Sequence, residues 1–213
     1  MTALDYLQSA CSINPFTSDE ARANSNYPGY VSGDVVRLLE TTPVAPFARV
    51  AHDAFRTFVL DEKFSCLGAK AVIRRGTCRF GVYDQFGSPA ATQGLARDLA
   101  ALAQERRGFE GDFTTFVAIC RKRTIAGELA FERRLWLQLD AVHTLDRVHD
   151  AWDERVSDDP HDDDFSLRLA GQAFFIVGMH PHASRASRRF GWPTLVFNAH
   201  EPFEHLREKG QFV

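Results

Sequence analysis

The sequence predicts a single α+β domain, a mixed β-sheet covered by helices. Three observations carry this expectation. A chain of 213 residues with 45% hydrophobic content can bury one sizeable core but not several. Apolar residues recur at three- and four-residue steps in separate stretches, as on helices with one buried face. Two short continuous apolar runs, AFFIVGM and TLVFN, are bounded by turn residues and suit strands buried on both faces.

Taken in order, residues 1–40 are rich in Ser, Asn, Pro and Gly and read as an irregular arm with a short helix near Val35–Leu39. Residues 41–213 form the domain. Pro46 opens a helix to about Leu60, with Phe47, Val50, Ala51, Ala54 and Phe58 at helical spacing. CLGAKAVIRRGTCRFGVYD reads as a hairpin, Ala69–Arg74 and Cys78–Tyr83, around an Arg-Gly-Thr turn. Ser88 and Pro89 supply an N-cap and a first-turn proline for a helix whose Ala91, Leu95, Leu99 and Leu102 share a face and which ends before Gly108. DFTTFVAIC follows as a strand. A helix over about Gly127–Val148 buries Phe131, Leu135, Leu139 and Val142. After the acidic segment SDDPHDDDF come the two apolar strands, then a closing helix over about Pro202–Lys209.

Composition narrows the partners. With 25 basic and 28 acidic residues the net charge is -3, which provides no field for nucleic acid or an anionic membrane and favours a small-molecule substrate. The start, MTALDYLQSACSINPF, has no secretory pattern, and no apolar run is long enough to span a bilayer, so a cytoplasmic protein is expected. Cys11, Cys66, Cys78 and Cys120 lack C-x-x-C spacing, which argues against a zinc ribbon and a covalently attached haem. The 18 phenylalanines fit an aromatic core, a slot for a flat apolar cofactor, or both.

Chemistry concentrates in FFIVGMHPHASRASRRFGWPTLVFNAH. His180 follows a buried strand that Pro181 must end, and Arg185, Arg188 and Arg189 would share one face if the following piece were helical. An imidazole donor, an apolar slot and nearby cations are what a non-covalent haem needs for its iron, ring and propionates. The competing reading is a strand-end histidine beside solvated arginines. His200, after the second strand, is a second candidate ligand or distal base, to lie beside His180 if the strands are neighbours. Cys66 offers a thiolate in place of imidazole, although a free cysteine is more often a small buried hydrophobe. Lys70 stands near it as a partner for a propionate. His161 and Asp162–Asp164 could ligate a non-haem iron but more often such a run is a solvated loop.

Ordered pieces from about Phe64 to Arg207 carry a wider likeness: KFSCLGAKAVIRRGTCRFGVYDQFGS, the LW-x-QL-x-x-x-H stretch, the block from DAWDERV to VFNAH, and FEHLR. Together these resemble YqcI/YcgG-like proteins. Members of that family include haem-dependent N-hydroxylases of arginine or guanidino compounds, in pathways to guanitoxin and D-cycloserine. The resemblance implies haem b, dioxygen or peroxide as oxidant with an electron donor where dioxygen is used, and L-arginine as substrate. It assigns the haem role to His180 and the arginines after it, which match a His-Pro-x-Ala-Ser-Arg stretch. A cationic substrate calls for a carboxylate, with Glu132 and Asp153 as candidates. Family chains run on past the position of Phe212 and Val213 with a polar tail, so residues that close the site are expected beyond it. The rival readings are a non-haem iron oxygenase using His161, His180 or His200, a haem-binding or sensing module without catalysis, and an interaction protein. A homo-oligomer is left open.

Overall fold

The computed structural model describes residues 14–106, 113–149 and 167–199. Its elements in chain order are α1 (Asp19–Asn24), β1 (Pro28–Val31), β2 (Asp34–Arg37), α2 (Pro46–Leu60), α3 (Leu67–Arg75), β3 (Cys78–Tyr83), α4 (Pro89–Glu105), β4 (Thr115–Cys120), α5 (Glu128–Asp146), β5 (Leu167–Leu169), β6 (Gln172–Met179), a 3-10 turn at Ala186–Arg188, and β7 (Thr194–Ala199). The strands form one mixed sheet in the order β2-β1-β3-β4-β7-β6-β5. This is the α+β architecture that the sequence predicts.

β3 and β4 run parallel and are joined through α4, while every other described strand pair is antiparallel. Along β4 the side chains alternate between two cores. Phe116 and Ala118 pack with Leu95 and Leu99 of α4 and Phe131 and Leu139 of α5. Val117 and Ile119 face the other way, toward Ala51, Phe55 and Val59 of α2 and Ile73 of α3. A strand buried on both faces cannot show polar alternation, which is why these read as continuous apolar runs.

Two local expectations are corrected. Ala69–Arg74 is helical, within α3, because the Arg-Gly-Thr segment is a helix stop and not a hairpin turn. Gly76 adopts φ 71°, and its N–H returns to the Ile73 and Val72 carbonyls. Val35 lies in a strand and not in a short helix. Ser32 and Gly33, with φ 52° and 92°, make the tight turn that pairs Val31 with Asp34.

Residues 14–40 are also tied to the domain. Gly94 lets α1 lie against α4, since a Cβ there would overlap the Asn24 carbonyl. Buried Asp98 accepts hydrogen bonds from Ser25 Oγ, Tyr83 Oη and the Asn26 N–H. Among the described residues no helix is long and apolar enough to cross a membrane. The expected closing helix at 202–209 lies outside the described residues.

Candidate functional site

β6 has an outer flank that is paired over only part of its length among the described residues. β5 pairs with it only from Gln172 to Phe174, so among the described residues nothing continues the sheet beyond that point. A cavity opens on each face of this flank, and the two meet at Phe175, Ile176 and Arg188.

The first cavity, about 490 Å³, lies between the helices α2 and α3 and the strands β4, β7 and β6. Its size suits a small molecule or cofactor. Phe55, Val59, Val72, Val177, Met179 and Val196 make most of its wall apolar. Cys66 is on the helical side of this wall, at the N-cap of α3, where its side chain makes no capping bond. Gly68 and Ala69 beside it are small, and a Cβ on Gly68 would meet only the Cys66 sulfur, at 4.0 Å. The other described cysteines are poor donors: burial pushes the Cys78 thiol up to about 12 and also raises that of Cys120. Lys70 is half-buried one turn after Cys66 but does not line the cavity.

The second cavity, about 640 Å³, lies between α5 and β6 on the other face. Phe131, Trp136 and Phe174 give it aromatic walls, and Glu128 and Glu132, one helical turn apart, give it negative charge. Glu128 is committed, since its carboxylate accepts from the N–H and hydroxyl of Ser184 and is held below its ordinary value by those bonds. Glu132 is exposed and makes no hydrogen bond or ion pair among the described residues.

His180, expected as the iron donor, belongs to this second cavity and not to the apolar one. It is buried and stacked on Phe131, with ring centroids 4.6 Å apart. Desolvation lowers its pKa, keeping the ring neutral. Its Nδ1 accepts the His182 N–H at 3.3 Å, so in the neutral ring Nε2 carries the proton. A metal-bound histidine has the reverse pattern, donating from one nitrogen while the other binds.

The three-arginine clamp is also corrected. The segment after Pro181 makes one 3-10 turn and no α-helix, so the arginines diverge. Arg188 reaches both cavities. Arg189 is spent on the loop, donating to the Ala183 and Ser184 carbonyls at 3.0 Å each. Arg185 is exposed and lines neither cavity.

β6 and β7 are neighbours, as the His180–His200 pairing requires, but they are antiparallel. Met179 opposes Thr194, whereas Ala199 opposes Phe174 at the far end of the ladder. His200 itself, Asp153, and His161 with Asp162–Asp164 lie outside the described residues. Among the described residues no three His, Cys, Asp or Glu side chains converge on a metal position.

Sequence reasoning missed Thr115 and Asn198, which put polar groups on the apolar cavity's sheet wall. An asparagine closing the apolar run TLVFN was the available signal, since a polar residue in such a run needs a partner. Compared with known proteins, residues 55–213 match the model of the family described as YqcI/YcgG. No curated protein and no solved structure matches the chain.

Proposed function

The chain belongs to the YqcI/YcgG family, and from this membership and the paired cavities we propose that it is a haem-dependent N-hydroxylase that converts L-arginine to N-omega-hydroxy-L-arginine, as a step of natural-product biosynthesis such as the D-cycloserine route. The observation that carries the reading is Cys66 at a helix start on the wall of an apolar cavity. The residues present fit haem b: a sulfur donor for iron, small residues beside it, aromatic and branched walls for the ring, and Arg188 at the rim for a propionate. Cys66 replaces His180 as the donor, because His180 faces the other cavity and presents a proton where a ligand needs a lone pair.

Bound haem would supply the oxygen chemistry, with dioxygen and an electron donor or with peroxide. The protein's part is binding and orientation. Glu132 is the uncommitted carboxylate available to a guanidinium, whose planar fork of donors matches a carboxylate in two parallel bonds. The aromatic walls beside it, Phe131 and Trp136, suit the flat face of a guanidinium, which stacks on aromatic rings. His180, neutral, offers an N–H to the same cavity without adding a positive charge that would repel the substrate.

An absorption spectrum of the haem-supplied protein tests the cofactor, and Cys66→Ser tests the donor by abolishing a thiolate-type reduced carbonyl spectrum that His180→Ala leaves in place. L-arginine should perturb the spectrum far more than L-lysine, and Glu132→Gln should remove that response without loss of haem. Mass spectrometry should find hydroxyarginine with peroxide or with a reductant and dioxygen. Colourless protein after haem supply, or haem-loaded protein that neither binds nor oxidises arginine, would end the proposal.

A further inference from the structure

Polar side chains are scarce on the sheet wall of the apolar cavity, and two of them form a pair. Thr115 on β4 and Asn198 on β7 are register partners across the antiparallel ladder, and the Thr115 hydroxyl donates to Asn198 Oδ1 at 2.9 Å. Thr115 is buried, with 7% of its surface exposed. This bond sets the carboxamide's orientation, because it occupies the oxygen and leaves the NH2 as the group on offer. The acceptors near that NH2, the carbonyls of Phe175 and Val196, are both 3.5 Å away, the outer limit of a hydrogen bond. The donor therefore retains capacity for a ligand. Its neighbours in the wall, Phe175, Val177 and Val196, have side chains that offer it no competing acceptor.

The helical wall across the cavity carries Cys66. We propose that Asn198 is the cavity's hydrogen-bond donor to the small polar oxidant, dioxygen or peroxide, and that Thr115 is a positioning residue that keeps the amide turned for this task. The assignment rests on the haem reading above and goes beyond it by naming the side of the cavity that receives the oxidant.

The test uses the full chain loaded with haem and two readouts other than turnover: cyanide affinity of the ferric protein and the C–O stretching frequency of the reduced carbonyl complex. Asn198→Leu removes the amide, whereas Asn198→Asp keeps its shape and the acceptor for Thr115 while removing the donor. Both should weaken cyanide binding by about tenfold, the effect of one lost hydrogen bond, and both should move the C–O frequency. Thr115→Val should act in the same direction but more weakly, since the amide is then free to turn. A merely structural pair would lower thermal stability and leave both readouts at the wild-type value. Haem uptake with both readouts unchanged in all three variants would overturn this assignment and leave the haem reading intact. Failure of the wild-type chain to take up haem would overturn both.

Discussion

Removal of the Arg188 side chain separates the corrected arginine arrangement from the one expected of a helix. Arg188 lines both cavities, and its guanidinium makes no hydrogen bond or ion pair among the described residues. Arg188→Ala therefore leaves the loop's own bonds in place, including the His180 N–H to the Arg188 carbonyl at 3.0 Å, which is backbone. A charge-assisted hydrogen bond is worth about 1.5–3 kcal/mol, or roughly a tenfold to hundredfold change in affinity. Because Arg188 is exposed, screening by water places the effect at the lower end, about tenfold. Arg185→Ala should leave haem affinity unchanged. Arg189→Ala should reduce it only through loosening of the loop, and should lower thermal stability as Arg188→Ala does not. Haem titration followed by absorbance, with the rate of haem transfer to an apoprotein acceptor, measures all three. Equal losses in the Arg185 and Arg188 variants would refute the argument, because they would return the clamp to a shared helical face.

Two further predictions concern the junction between α1 and α4. Gly94→Ala should destabilise the protein although alanine is the better helix former by about 1 kcal/mol, because the added Cβ overlaps the Asn24 backbone and overpacking against backbone costs about 1–3 kcal/mol. Thermal unfolding should show a fall of several degrees, and an unchanged or raised Tm would contradict the packing. Asp98 has its pKa raised by desolvation to about 6, so the folded state binds its proton more tightly than the unfolded state does. Stability from this group is then fully present only below about pH 4 and is lost as pH rises through about 6. Urea unfolding of wild type and Asp98→Asn across that window should show the wild type losing ground to the variant as pH rises, and a constant difference would contradict the shift.

The sequence by itself determined what depends on neighbours along the chain. Helical spacing located α2, α4 and α5, the Ser88-Pro89 start included, and Pro181 marked the end of β6 just before His180. These signals are local, since a buried stripe, a cap or a missing N–H acts within a few residues. α3 misled for the same reason. In CLGAKAVIRRGTC a short apolar run before a glycine fits a hairpin or a capped helix, and only the packing of Val72 and Ile73 under the sheet decides. Cys66, Glu132, His180 and Arg188 were legible as candidates, but which of them share a cavity was decided by tertiary structure. Strand order put β7 between β4 and β6, which made Thr115 and Asn198 partners although 83 positions separate them. The antiparallel sense of β6 and β7 placed Met179 opposite Thr194 and Ala199 opposite Phe174, a register that the separate runs do not contain. A sheet has two faces, and side chains alternate between them along β6, so Met179 lines the first cavity with Cys66 of α3 while His180, the next residue, lines the second. Pairing and facing are set by contacts among distant segments, whose energies no single stretch of sequence contains.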